Sequence, residues 1–295
     1  MRRMFAHTPY DGSTRPFTIG MSPLDLRDWI EPDGNLARDL AEKDSLLAGR
    51  RAVVFRHTPG SDAAQRETLE LLAAFLPARF PHLYTAREGA IEVAGRPVHL
   101  DEDAPLLVAS RLVQEDLCLM VNGDSGWRLA AASLCFPSTW SLEEKIDRDM
   151  NDIHVNVPGF PGRMHDMVRR IFDNLKVEFP VRRLNWSIYG DGALHHPESK
   201  SDPLERFPEH LPALARAHIR VERQTLRKLP QTQAILFTIR VHSDPIAQLA
   251  GRPDGRALAR ALRGQLLELD EAQLDYKGLT QARARLAAAL DALAM

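Results

Sequence analysis

The stretch DLCLMVNGDSGWRLAAASLCF, residues 116–136, decides the fold class. Two β-rich runs, Asp116 to Val121 and Trp127 to Phe136, flank Asn122-Gly123-Asp124-Ser125-Gly126. Asn-Gly and Ser-Gly tolerate positive φ, so the segment predicts a hairpin. Downstream, Ser141 with Glu144 three residues later has the spacing of a capping box at a helix start. Asn151 to Gly162 reads as a loop, with Pro158, Gly159, Pro161 and Gly162 as breakers. From Arg163 to Leu175, Met164, Met167, Val168, Ile171 and Leu175 recur at helical spacing. Three further strands are expected, Val181 to Tyr189, Ile219 to Leu226 and Ala234 to Val241. Residues 190–210, rich in His, Pro, Asp and Glu, form the loop between the first two.

Upstream, residues 1–35 are broken by prolines and glycines, with a short helical turn over Leu24 to Ile30. An amphipathic helix follows from Asn35, with Leu36, Leu40 and Leu47 near one face. A second starts at Ser61, with Asp62 placed to cap it and Pro77 and Pro81 ending it. Ile91 to Leu100 reads as a hairpin about Gly95-Arg96, and Leu106 to Ser110 as a helical turn. The chain closes on helices over Asp244 to Leu249, Gly255 to Leu267 and Thr280 to Ala294. The central order, strand–strand–helices–strand–strand–strand, is that of a PAS domain: an antiparallel five-stranded sheet with helices over one face. Other α+β folds share it, and fold does not specify function. The expected architecture is therefore α+β, a PAS-like core over residues 101–245 with an N-terminal extension, 1–100, and C-terminal helices, 246–295.

Composition narrows the function classes. The 295 residues carry 38 Lys plus Arg against 40 Asp plus Glu, a formal charge of −2, which argues against a general nucleic-acid binder. Apolar runs are far below the ~20 residues of a membrane helix, and no signal-peptide pattern follows Arg2 and Arg3. Cys118 and Cys135 fit no zinc or iron–sulfur spacing, which points to a cytoplasmic protein with reduced thiols. There is no GxGxxG, P-loop or CxxCH, so covalent haem attachment is excluded while non-covalent haem is not. His7, His57, His195 and His196 lie in loops, match no metal spacing and read as surface residues.

Three segments concentrate chemistry. In Ile153-His154-Val155-Asn156-Val157-Pro158-Gly159 a histidine sits between apolar residues in a stiffened loop. Such an imidazole can ligate a metal or haem iron, or act as acid or base; the alternative is a buried histidine satisfied by a backbone carbonyl. In Arg182-Arg183-Leu184-Asn185-Trp186-Ser187, period two sets Arg183, Asn185 and Ser187 against Leu184 and Trp186. The asparagine suggests a polar contact, and the alternative is a core Trp beside a solvated Arg. In Arg220-Val221-Glu222-Arg223-Gln224-Thr225-Leu226, Arg223 shares a face with Ile219, Val221 and Thr225, while Arg220, Glu222 and Gln224 share the other. If the apolar face lines a pocket, Arg223 suits a carboxylate such as a haem propionate, or bound oxygen; the alternative is a solvated edge strand.

Taken in order, these segments resemble the α-subunit family of haem-dependent oxidative N-demethylases. The family pattern I-H-x-P-V-P, R-x-N-W and R-x-E-R-Q-T-L-x-R-L-P-x-T is met at Ile153 to Pro158, Arg183 to Trp186 and Arg220 to Thr232. Cys118 to Val121, Cys135 to Trp140 with Lys145, Gly20 to Leu24 and Asp28-Trp29 also match, so the likeness spans residues ~20–245. Asn156 stands where the pattern has its first proline, and Lys228 where arginine is usual. The resemblance implies a PAS-like fold holding haem b non-covalently. It implies oxidative demethylation of a small secondary amine such as dimethylamine with O2, giving a primary amine and formaldehyde. Electrons would come from NADPH through flavin and iron–sulfur partner subunits of a hetero-oligomer. It makes His154 the haem iron ligand and Arg223 a propionate or distal contact. Glu222 would meet the amine, with Asn185, Trp186 and Arg220 lining the site, so Glu222 and Arg223 are the candidate catalytic pair. The rival readings are a haem-binding PAS-like sensor and a non-catalytic subunit.

Overall fold

A computed structural model describes residues 4–124, 126–198, 207 and 212–295. Ser125 of the expected turn and most of the 190–210 loop therefore lie outside the described residues. Among the described residues ten strands occur in chain order: β1 (Ser22–Pro23), β2 (Phe55–His57), β3 (Tyr84–Arg87), β4 (Ala90–Val93), β5 (Arg96–His99), β6 (Asp116–Gly123), β7 (Gly126–Ser133), β8 (Val181–Tyr189), β9 (His218–Lys228) and β10 (Ile235–Pro245). Together with the helices they make a mixed α+β fold. The main sheet is antiparallel and seven-stranded, ordered β1-β8-β9-β10-β6-β7-β2, and β3-β4-β5 form a separate small sheet.

The five expected strands are the five inner ones, but the expected strand count of five is corrected to seven. Both added strands come from the first hundred residues. Ser22 and Pro23 pair with Arg182 and Val181, and Phe55 to His57 pair with Ser133 to Ala131. Strands of two and three residues have no measurable alternation, so no period-2 signal announces them. Pro23 is tolerated because β1 is an edge, where a missing N–H costs no ladder bond.

Other element ends also shift. The helix expected from Ser61 runs Asp62–Arg79 and accommodates Pro77 in its last turn. Asp62 lies in the first turn rather than capping it, and Ser61 makes no side-chain cap. The capping box at Ser141 does not form, although the helix Leu142–Lys145 begins there. The expected 151–162 loop opens instead with a helical turn, Met150–Ile153, because Asp149 accepts from the N–H groups of Asn151 and Asp152 at 2.8 and 3.0 Å. A short helix not expected from the sequence, Glu271–Lys277, is capped by Asp270 and Gln273.

Two apolar cores pack against the sheet. The larger packs the helices Leu36–Gly49, Asp62–Arg79 and Pro105–Ser110 with β6, β7 and β10. The smaller sets Trp186 and Ile188 of β8 and Ile219 and Val221 of β9 against Leu262, Leu266, Leu286 and Leu290 of the C-terminal helices. Each such leucine contributes roughly 1.5–3 kcal/mol when buried, so those helices are integral to the fold.

Strand β9 also buries charge. Arg223 is 2% exposed and bonds the carbonyls of Asp28 and Trp29, the latter at 3.2 Å, and the Glu31 carboxylate at 3.0 Å. Its cross-strand partner Arg240, on β10, pairs with Asp33 at 3.1 Å and Asp39 at 3.5 Å. Arg227 stacks over the buried Trp29 ring at 4.2 Å. These contacts fasten residues 28–39 to the sheet. Removing a buried guanidinium leaves its acceptors unpaired, so Arg223→Ala is expected to cost about 3 kcal/mol of stability in urea unfolding. Arg27→Ala, at an exposed ion pair, should change it by less than about 1 kcal/mol.

Candidate functional site

On the face of β8 and β9 opposite Arg223 lies a cavity of about 290 Å³, at the lower end of ligand-sized clefts. Its floor carries Arg183, Asn185 and Ser187 of β8 and Arg220, Glu222 and Gln224 of β9. The alternation read from the sequence holds, but the assignment of faces is corrected. Glu222, not Arg223, faces the cavity, and the Arg223 face is covered by residues 28–31. Ile219 and Val221 share that covered side because they pack on the C-terminal helices.

His154 lines the cavity wall. It is the residue that ends the turn Met150–Ile153, and its N–H bonds the Asn151 carbonyl at 3.1 Å. Its ring is fixed twice. Nδ1 lies 2.9 Å from the Met150 carbonyl, and the imidazole stacks on Phe160 with centroids 4.2 Å apart at 15°. Phe160 opens a π-helical turn, Phe160–Met164, entered through Gly159 at φ +73°, a conformation that favours glycine. The Nδ1 contact requires a proton on Nδ1 and leaves Nε2 as the lone-pair nitrogen. Burial pushes the ring's pKa down to about 4, so the imidazole is neutral near pH 7. The alternative of a histidine satisfied by a carbonyl is thus also met, but through one nitrogen only.

Glu222 is held by three neutral donors: the Ser138 hydroxyl, Gln224 Nε2 at 2.8 Å and Asn185 Nδ2 at 3.4 Å. Arg220 is 1% exposed and orients this network. Its Nε donates to Ser138 Oγ at 2.8 Å, and its other nitrogens bond the carbonyls of Phe136, Pro137, Ala193 and Leu194. With its donors so engaged, Arg220 braces the wall from behind and has little left for a ligand. Trp186 turns its indole to the second core, where Lys277 Nζ lies 5.0 Å from the ring.

Further residues complete the site. Arg183 Nε is buried without a hydrogen-bond partner among the described residues, and burial holds that guanidinium below its usual pKa, against the pull of Glu222. Lys145 is similarly lowered by burial. Tyr276 and Lys277 enter from the unexpected helix Glu271–Lys277. Burial pushes Lys277 down to about 8 with Glu222 opposing, and burial with Glu222 pushes Tyr276 up to about 12. Lys277 Nζ donates to the Trp186 carbonyl at 2.5 Å. Of these, Arg183 and Lys145 had a sequence signal, both through the family resemblance and Arg183 also through the alternation of its strand. His195 and His196, expected at the surface, instead bond the carbonyls of Cys135 and Ala193 at 2.7 and 3.1 Å. They help close the wall behind Arg220.

The donor set suits haem. A neutral, oriented imidazole with a lone pair on Nε2 faces a space walled by apolar side chains such as Met120, Leu129, Phe172 and Phe237. Arg183 and Lys145 offer cationic donors for carboxylates. Lys145 makes one long bond, 3.4 Å, to the Asp152 carbonyl.

In the haem-free chain, position 154 also sets a pH dependence. Between pH 6.5 and about 4 the unfolded chain binds a proton there that the folded chain does not. Stability should therefore fall as pH falls through that window, by up to one proton's linkage. In His154→Leu that component of the slope, measured by urea unfolding across pH, should be absent.

The model of the family "haem-dependent oxidative N-demethylase, alpha subunit-like" matches residues 20–287, and the chain belongs to that family. Among the described residues, no helix is long and apolar enough to cross a membrane.

Proposed function

We propose that this family member holds haem b non-covalently in the cavity, with His154 as axial ligand, and oxidatively demethylates a small secondary amine such as dimethylamine. The observation that carries this reading is the twice-fixed, neutral His154 ring in the cavity wall. In the same reading, the inner strands β7-β6-β10-β9-β8 are a PAS-like sheet adapted to hold a cofactor.

With O2 and two electrons, bound haem supplies oxidation of a methyl C–H beside nitrogen, giving primary amine, formaldehyde and water. The chain's own residues bind and orient. Glu222 receives the N–H of the protonated amine, and its neutral donors fix the carboxylate without cancelling its charge. Asn185 and Gln224 hold it from either side. Arg183 and Lys145 take the propionates, which gives the unpaired Arg183 Nε an acceptor. Arg223 and Arg220 act only by position, one beneath β9 and one behind Ser138.

Reducing equivalents are assigned to NADPH through flavin and iron–sulfur partner subunits. This chain has no nucleotide fingerprint, and both of its cysteines are buried.

The haem-replete chain should show a Soret band that shifts or is lost in His154→Ala; an unchanged band in that variant overturns the ligand assignment. With reductant and dimethylamine, the parent chain should release formaldehyde. Binding of haem without formaldehyde from any of several secondary amines, under working electron delivery, would favour the sensor reading. In Glu222→Gln the Soret band should persist while amine affinity, followed by the spectral shift on titration, weakens roughly 10–100-fold.

A further inference from the structure

On the sheet face away from the cavity, a second cluster of ligating groups joins distant parts of the chain. His7 precedes the main sheet, Glu31 lies in the segment fastened by Arg223, and His242 is on β10. One ligand atom from each lies within 4.8 Å of the others. His7 Nε2 is 2.9 Å from Glu31 Oε1, and His242 Nε2 is 3.9 Å from that same oxygen. The two imidazoles meet edge to face with centroids 5.2 Å apart.

We propose that His7, Glu31 and His242 form a three-ligand site for a divalent cation of the zinc class. Two imidazoles and one carboxylate are a donor set that zinc takes with a fourth position left to water. Metal–ligand bonds of ~2.0–2.1 Å in a tetrahedron put neighbouring ligand atoms roughly 3.3 Å apart. The observed 2.9 and 3.9 Å bracket that spacing and every pair of ligand atoms lies within 4.8 Å, so side-chain adjustments of about an ångström bring the three together.

The charges nearby do not forbid a cation. Arg223 engages Oε2 of Glu31, which His7 Nε2 also approaches at 2.8 Å, while Oε1 lies near both histidines and away from the guanidinium contact. Arg240 is matched by Asp33 and Asp39, and the buried Glu115 carboxylate adds a further negative charge, accepting the Glu31 N–H at 2.9 Å. Lys43 adds a cation held by the carbonyls of Val113 and Glu115. Arg38 also pairs with Asp39, at 2.7 Å, so the surrounding network holds four carboxylates against four cations, and no excess of positive charge opposes the ion. His7 is 18% exposed in its side chain and His242 4%, so an ion reaches the site from the His7 side. Bound there, it ties the N-terminal segment to β10 beside the Arg223 contacts.

The test is calorimetric titration of the full haem-loaded chain with Zn2+, alongside thermal unfolding. One Zn2+ site per chain is expected, with a rise in Tm. His7→Ala and His242→Ala should each weaken binding by more than the ~10–100-fold of an outer-shell change and remove the Tm rise. His154→Ala should alter neither. Absence of stoichiometric binding in the parent chain, or the same affinity in His7→Ala, overturns the site. His7→Ala decides even if His242→Ala does not fold, because it leaves the Arg223–Glu31 pair and the β10 ladder in place.

Discussion

A guanidinium buried without acceptors costs several kcal/mol, and this fold buries three of them: Arg220, Arg223 and Arg240. Each must be met by carbonyls or carboxylates brought from elsewhere in the chain, and much of the architecture answers that demand. Arg223 and Arg240 draw residues 28–39 onto the sheet. Arg220 draws in the backbone at 136–138 and 193–194. The first segment becomes a fixed layer behind β9 and β10, and the second becomes a wall of the cavity.

Strand β9 is thus read from two sides. Arg220, Glu222 and Gln224 serve the cavity, while Arg223 and Arg227 serve the layer behind it, where Arg227 lies over Trp29. The Pro230-Gln231-Thr232 turn that follows is held by Glu67, which accepts from the backbone N–H groups of Gln231 and Thr232 at 2.6 and 2.8 Å. An apparently over-charged strand is a central strand whose buried charges Arg220, Glu222 and Arg223 are engaged by other parts of the chain, which is why it is neither solvated nor an edge.

The sequence made the inner strands legible because they are long, alternate, and are bounded by clear turns such as Asn122-Gly123. His154 was legible as a held, part-buried histidine because it sits between apolar residues in a Pro/Gly-rich segment, while the segment alone left a ligand and a carbonyl-bonded histidine both open. The side of β9 that meets the cavity was not. Alternation says which residues share a face, but not which face is covered, and the apolar side here is claimed by the C-terminal helices. Arg183 was seen on the right face but could not be told from a solvated arginine. Tyr276 and Lys277 were missed because Glu271–Lys277 is only seven residues long, with its main signal in the cap. The His7, Glu31 and His242 cluster has no local spacing to detect, since only folding brings it together.

The cavity takes lining from Phe17 near one end and from Lys277 near the other, and Lys277 Nζ sits 4.9 Å from the Phe17 ring. A wall assembled from such distant segments does not exist on a partly synthesised chain. The first half of the sheet can pair as it leaves the ribosome, but the last side of the cavity arrives only when residue 277 does. On the reading proposed above, the cofactor meets its full site only after residue 277 has joined the wall, so binding follows the coming together of both ends of the chain. That wall is backed by the buried arginine network and the two apolar cores.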